Sequence, residues 1–516
     1  MEHKVYFSDY HSNIHSNQLD DLDRWYDFAR DMLDFWAPVY YPFFINENAA
    51  GFHFEDTWPP ARYDEDFSRL CRYLEEKKDG FVTFPAYEWQ GSGADGDHNV
   101  FFKHYDSRMK MPLTYRELVE QLRPAECIGI PHHTGYMPGH RGKNWATNDE
   151  AFSPVMEIYS SHGCSESSDC AISLNVHIHM GPRTEQGTAL YAIRQGIKVG
   201  FIASGDNHVC PAIAGNGFFG VVAGRYDRDE IYSAIQNRHT YAVTRSRMLL
   251  DYQVNGAILG SEIPSRGENR LRAEVVAGQA VDRIELYQNG VVARVYTHAG
   301  TYERTRHTGP VTFKFELEAG WGPDRRNFPD ICQKTWDIQV KTRGRIESVE
   351  KLWTSPGSAI LTQSEGCLSM RVVSRKDLPG QGKLSQKNYF SPNIQNQSVI
   401  VEITDDIRHS IEVWIDGVRQ EIPIARLLEE SVLFAQEQEA RQLLEERFGF
   451  GEYYREDPFW HNAYKVLVHR ACPKEAYHMT VEDVLPPLER EEDSFFIKVL
   501  LKNGEAGWAS PIWIKA

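Results

Sequence analysis

The sequence predicts an α/β barrel of TIM-like type over residues 1–247, followed by an antiparallel β-sandwich over 248–516 with a helical insertion at about 424–448. Three observations predict it. Buried-strand runs alternate with helix-period segments up to about Arg247. Asn-Gly and Asp-Gly turns between β-prone runs take over beyond that point. Side chains able to bind metal follow one strand after another in the first half. Strand, helix, strand at this pitch implies parallel sheet with crossover helices, and the strand count suits a closed barrel.

Val5-Tyr6-Phe7 is the first strand. Leu22, Trp25, Tyr26, Ala29, Met32 and Leu33 then recur three and four apart, as on one helix face. Phe35–Phe44 is strand-like, and Phe67, Leu70, Cys71 and Leu74 repeat the helical spacing. Phe81–Tyr87, Ile128–Ile130, Val155–Tyr159 and Val199–Ala203 are further buried strands, the last preceded by a helix over Thr188–Arg194 that Gly196 would end. Past residue 248, Asn289-Gly290, Asp416-Gly417 and Asn503-Gly504 mark hairpins, and Ile284–Tyr287 and Ile411–Ile415 alternate with period two. Ile424–Phe448, rich in Glu, Leu, Gln and Arg, interrupts them as a helical excursion.

A chain of 516 residues exceeds one domain, which typically runs to roughly 100–200 residues. Against 56 basic residues stand 73 acidic ones, a net charge of −17 that repels phosphate backbones and anionic lipid. Nucleic acid and membrane are therefore not expected as partners. There is no signal-peptide pattern at Met1–Asp9 and no run near the ~18 apolar residues of a membrane span, so a cytoplasmic protein is expected. Eight cysteines without regular spacing are too few for a disulfide framework. Cys164 and Cys170 read as ordinary thiols, because a structural zinc site wants four ligands.

The metal-capable residues cluster by position. Asp9 and His11 follow the first strand, Glu88 ends the Phe81 strand with His98 beyond it, and His132 and His133 follow the Ile128 strand. His162 follows the Val155 strand, and Asp206 and His208 follow the Val199 strand. In a parallel barrel all strand C-termini open onto one face, where these groups would converge. Extended backbone puts residues two apart on one side, pairing Asp9 with His11 and Asp206 with His208. One histidine after a strand is more often a loop residue; five strand ends so equipped point to a centre. Imidazole with carboxylate suits Zn²⁺, Mn²⁺ or Fe²⁺, and such an ion brings the pKa of its water toward ~7. His98 or His162 could protonate a leaving group. Arg141 and Lys143 are candidate cations for a phosphorylated substrate, with Tyr40, Tyr41 and Trp89 at the mouth. His177-Ile178-His179 has metal-pair spacing but reads as a surface strand. Gly91–Gly96 matches the dinucleotide glycine pattern, yet a strand follows it, so that reading is rejected.

Asp9-Tyr10-His11, Tyr87-Glu88-Trp89, Pro131-His132-His133 and Gly205-Asp206-Asn207-His208 together resemble the signature of PHP (polymerase and histidinol phosphatase) domains. The resemblance implies a distorted seven-stranded barrel, related to the amidohydrolases, that hydrolyses its substrate with metal-activated water. Gly96–Val100, Glu157–Gly163, Thr240–Thr244 and Ala506–Ile514 resemble a bacterial branch of unknown function that adds a C-terminal β-domain. By this likeness His11, Glu88, Asp206 and His208 are ligands, joined by His133 rather than His132, which is left to contact substrate. His98 and His162 are either ligands or substrate contacts. Two departures stand out: Asn13 where the family has a second histidine, and Val39-Tyr40-Tyr41-Pro42 where it has Asp-His. One or two ions are expected rather than three. The resulting expectation is a phosphoesterase acting on a small molecule. A hydrolase of carboxylic esters, lactones or C–N bonds and a degenerate, non-catalytic binding barrel are the alternatives. The β-domain is expected to buttress the barrel or to form a homo-oligomer interface.

Overall fold

The computed structural model describes residues 4–47, 53–57, 60–123, 126–174, 180–298, 302, 306–323, 333–354, 357–375, 396–449, 455 and 457–516. His177 and His179 lie outside the described residues. The chain forms two compact units, the first comprising Met1–Ala277, Val281–Thr297 and Met479–Ala516, the second Gly278–Ala280 and His298–His478.

The first unit alternates strands and helices much as the apolar periodicity dictates. Its strands are β1 (Lys4–Ser8), β2 (Ser12–His15), β3 (Phe35–Trp36), β4 (Pro38–Tyr41), β5 (Phe43–Glu47), β6 (His53–Thr57), β7 (Val82–Thr83), β8 (Ala86–Trp89), β9 (His98–Phe102) and β10 (Cys127–Pro131). They continue with β11 (Val155–Ser160), β12 (Gly163–Cys164), β13 (Gly200–Ala203), β14 (Phe218–Ala223) and β15 (Thr240–Val243). The main helices are α1 (Leu22–Met32), α2 (Pro60–Glu76), α3 (Tyr115–Leu122), α4 (Ala189–Arg194) and α5 (Arg228–Gln236). Trp25, Tyr26, Ala29 and Met32 are the buried face of α1, as their spacing requires. Thr114 caps α3 and forms a capping box with Glu117. Thr188 caps α4, and Gly196 follows that helix with φ +80°, a left-handed terminus that glycine adopts without strain.

The ladders are mixed. β2, β4 and β8 run parallel, as do β3 with β7 and β11 with β13. β8, β9 and β10 pair antiparallel, and so do β1, β14 and β15. The first reversal has a local cause, since Gln90–Asp97 is too short for a crossover and makes a glycine-rich turn instead. Phe35, Val39, Phe84, Phe101, Ile128, Val155, Ile202 and Phe219 nonetheless enter one buried cluster, so these strands share a core.

The division near residue 248 read from the sequence differs from the observed one. The β1–β14–β15 sheet continues through Ala506–Ala509 and Glu492–Leu501 to Val281–Gln288 and Val291–Tyr296. Tyr241, Ala242 and Val243 of β15 pair with Ala509, Trp508 and Gly507, which returns the chain's last segment to the first unit. Asn289 and Gly290 (φ +53° and +76°) turn between Gln288 and Val291, the left-handed pair that a two-residue hairpin demands.

The second unit holds two antiparallel sheets. In one, Arg345–Leu352, Gln397–Asp406, Pro310–Trp321, Tyr464–Val468 and Val432–Gln436 are ordered side by side. In the other the order is Ala359–Ser364, Cys367–Arg375, Gln333–Lys341, Ser410–Ile415 and Val418–Pro423. Phe313, Phe315 and Leu317, like Ile411, Val413 and Ile415, are the alternate buried residues of half-exposed strands. The helical insertion expected at 424–448 is two helices, Ile424–Leu427 and Glu437–Phe448, parted by the strand Val432–Gln436, which pairs with Tyr464–Val468. Among the described residues no helix is long and apolar enough to cross a membrane.

Candidate metal centre

Strand ends of the first unit gather imidazoles and carboxylates into three overlapping groups: His11, His132 and Asp206; His133, His162 and Asp206; and Asp97, His132 and His133. Within each, one ligand atom per residue lies within 4.8 Å of the others, and every member is buried. Asp206 belongs to two groups and presents one oxygen to each: Oδ1 is 3.4 Å from His11 Nε2 and Oδ2 is 3.1 Å from His162 Nε2. His133 (φ +34°) and Asp206 (φ +45°) both occupy the left-handed region. Such strain in non-glycine residues persists where surrounding structure holds it, commonly at functional sites.

Neighbouring groups fix how the rings point. His11 Nδ1 donates to Glu157 Oε2 at 2.9 Å, which leaves Nε2 facing Glu88 and Asp206. Ser204 Oγ donates to the same Glu157 oxygen at 2.6 Å. The Tyr136 hydroxyl lies 3.0 Å from His162 Nδ1 and leaves that ring's Nε2 toward Asp206. His11 and His162 thus have behind them the kind of outer partner that orients a metal-binding histidine.

The site is short of positive charge. Burial drives the Asp206 carboxyl well above its ordinary range, and the Glu157, Glu88 and Asp97 carboxylates push it further against the pull of His11. Burial alone would depress His11, but Asp206 and Glu157 outweigh it and hold that imidazole well above its usual value. Burial lowers His132, and lowers His133 to about 3 with help from Arg141, so both rings are neutral and have lone pairs to give. Asn13 Oδ1, Asp97 Oδ1, Glu157 Oε1 and the Nδ1 atoms of His132 and His133 are buried without hydrogen-bond partners. Buried polar atoms are normally satisfied. A buried cluster of unpaired oxygens, neutral imidazoles and crowded carboxylates fits a divalent cation with nitrogen and oxygen ligands.

The expected residues fare differently. His11, His133, His162 and Asp206 enter the groups, and so does His132, which was expected only to touch substrate. Glu88 lies against them, 3.5 Å from His11 and 3.7 Å from His132, but its oxygens accept from Asn13 Nδ2 (3.1 Å) and Gln90 Nε2 (3.0 Å). Asp9 instead braces the backbone: Oδ1 accepts from the amides of Gly205 (2.7 Å) and His11 (3.3 Å), and Oδ2 from that of Ala212 (2.8 Å). His208 joins none of the groups; its Nδ1 is 2.7 Å from His15 Nε2, and its ring packs on Tyr41. His98 holds Gly96 O with Nδ1, and its Nε2 is 3.2 Å from the buried Lys143 Nζ, itself 3.9 Å above the Tyr115 ring. Lys143 is thus withdrawn into the interior, whereas Arg141 is partly exposed and clamps Asp97 at 2.6 Å, with Glu88 4.0 Å away. The three aromatics do not line a mouth. Tyr40 is buried with its hydroxyl on Asp66, Trp89 donates to Pro112 O, and Tyr41 packs against His15 and His208.

Two site residues escaped the sequence reading. Glu157 was legible in principle, because a carboxylate at the centre of the apolar strand Val155–Ser160 needs a partner. Asp97, at the entry to β9, carries no comparable signal.

No family model matches the chain. It is similar to an uncharacterized protein of Chlamydia trachomatis serovar D, 29% identical over 203 residues, which cover 36% of this chain and 32% of that protein. A Chlamydia muridarum protein is 28% identical over 204 residues, with the same shares covered, and one from Chlamydia pneumoniae is 24% identical over 243 residues, covering 43% and 38%. The similarity thus spans between 32% and 38% of the length of these relatives. Among solved structures, a two-domain protein from Bacteroides vulgatus containing a predicted PHP-like metal-dependent phosphoesterase aligns with 13% identity and a TM-score of 0.31, covering 73% of this chain and 88% of that one.

Proposed function

We propose that the protein is a metal-dependent hydrolase, and that its substrate is a small phosphorylated molecule. The observation that carries this reading is the sharing of Asp206, His132 and His133 among three ligand groups, with unpaired oxygens buried beside them. The buried cluster shared by strands β3, β4, β8, β9, β10, β11, β13 and β14 is the support for reading the first unit as a distorted barrel. The two-sided Asp206 favours two ions, of manganese, zinc or iron. A divalent cation bound there supplies Lewis-acid charge, enough to make water nucleophilic at neutral pH and to polarise the bond under attack. Glu157 and Tyr136 hold His11 and His162 with Nε2 directed inward. Arg141, partly exposed beside Asp97 and Glu88, offers guanidinium donors to the anionic oxygens of a phosphoester.

One observation favours a second reading. With Lys143 buried against His98, Arg141 is left without the second cation expected for phosphate, which suits a less charged ester, lactone or C–N substrate. Protein loaded with Mn²⁺ or Zn²⁺ and assayed on phosphomonoesters, phosphodiesters, lactones and amides separates the two. Turnover abolished by Asp206→Asn is expected. Inactivity of fully loaded protein across all four classes would remove the hydrolase reading.

A further inference from the structure

We propose that Cys164 and Cys170 are an oxidisable thiol pair, which a hydroperoxide converts to a disulfide within one loop of the first unit. This goes beyond the metal reading and does not depend on it.

The two sulfurs lie 3.7 Å apart with nothing covalent between them. A disulfide needs ~2.0 Å, so the gap to close is under ~2 Å, shared between two side chains. One guanidinium holds both ends of the loop: Arg183 Nη1 donates to Cys164 O at 2.9 Å, and Nη2 donates to Cys170 O at 2.8 Å. Cys164 is buried, whereas Cys170 is half-buried beside the exposed Ser168 and Asp169, so a small oxidant reaches Cys170 first. Cys170 also has an activating environment. The hydrogen bond with Cys164 and the charge of Lys498 hold its thiol below the usual range, against burial and Glu166. Glu166, Cys164 and Cys170 lie close enough to surround a cation, but the Lys498 ammonium already sits 2.6 Å from Glu166 Oε2. That fixed positive charge disfavours a metal and partly offsets the Glu166 carboxylate, whose Oε2 accepts from Cys170 Sγ at 3.1 Å.

The chemistry balances in two steps. The Cys170 thiolate attacks the peroxide; an S–O bond forms, the O–O bond breaks, and the departing oxygen leaves as water or alcohol after taking a proton. The Cys164 sulfur then attacks the Cys170 sulfenic acid, forming S–S and expelling water that carries the Cys164 proton. Two thiols lose two electrons to one hydroperoxide.

The reduced full chain, treated with stoichiometric hydrogen peroxide, alkylated, digested and analysed by mass spectrometry, tests this. The expected result is early loss of both alkylation sites, a Cys164–Cys170 cross-link, and recovery with dithiothreitol. In Cys164→Ser the reaction should stop at a Cys170 sulfenic acid trapped by dimedone, and in the unsubstituted chain Cys170 should lose its alkylation site about fivefold faster than the half-buried Cys367. Cys164 and Cys170 remaining alkylated while other cysteines oxidise would overturn the proposal, and so would a Cys170 no faster than Cys367.

Discussion

Lys143 should make the protein's stability depend on pH in a window where lysines are usually silent. Its ammonium is buried, and burial lowers its pKa from 10.5 to about 7. Between about pH 7 and 10.5 the unfolded chain holds this proton and the folded chain does not. Stability therefore rises with pH across that window, is fully gained above it, and is lost as pH falls through 7. At about 1.4 kcal/mol per unit, the whole shift corresponds to about 5 kcal/mol. The Tyr115 ring face, 3.9 Å from Nζ, returns about 1–2 kcal/mol to the charged form, leaving about 3 kcal/mol. Lys143→Met keeps an unbranched chain without the charge. Urea denaturation of both proteins between pH 7 and 9.5 isolates the effect, because every other titrating group is common to the pair. The variant's advantage at pH 7 should shrink by about 2 kcal/mol by pH 9.5, the remainder being recovered only as pH approaches 10.5. A stability difference that does not change with pH would refute the argument, because the folded and unfolded states would then hold the Lys143 proton equally.

Asp206→Asn removes the carboxylate that two ligand groups share, so elemental analysis after metal loading should find less than half the wild-type ion content. The metal-free variant should melt higher than the metal-free wild type, since crowding with Glu157, Glu88 and Asp97 is relieved. Glu157→Gln leaves His11 in place but loosens its ring, and calorimetry should read metal affinity lower by about 10–100-fold. Asp9→Ala strips acceptors from three backbone amides and should destabilise by about 3 kcal/mol in thermal unfolding, an effect on folding first and on metal second. Gly205→Ala should resemble it, because a Cβ there would stand 2.8 Å from Asp9 Oδ2 and 2.5 Å from Asn207 Nδ2.

Strand ends bearing histidine and aspartate were visible in the sequence because each follows an apolar run that reads plainly as a buried strand. Which of two neighbouring polar residues faces the centre was not. The rule that residues two apart share a side holds for extended backbone, and it paired Asp206 with His208. Asp206 is left-handed at φ +45°, so the chain turns there, and His208 meets His15 and Tyr41 rather than the ligand groups. Asp9 fails for a related reason. β1 ends at Ser8, and the Asp9 carboxylate turns to amides of the loop that carries Asp206. The unit boundary was hidden because the pairing of β15 with Ala506–Ala509 links residues more than 260 positions apart, which a shift in local texture does not register.

Asn13, Tyr40 and Tyr41, where the sequence differs from the motif it resembles, have contacts of their own. Asn13 stands where a second ligand histidine was expected, and its amide donates to Glu88 Oε2 at 3.1 Å while Gln90 takes Oε1. A carboxylate committed to two amide donors has less lone-pair density to give, and Glu88 accordingly stands beside the ligand groups without belonging to any. The Asp-His expected after the second strand is replaced by Tyr40 and Tyr41, both buried. Asp97, absent from the expected set, comes within reach of the adjacent His132 and His133 only through folding. The neutral His132 and His133 rings stay buried beside an Asp97 oxygen without a hydrogen-bond partner, polar groups that a bound cation would satisfy.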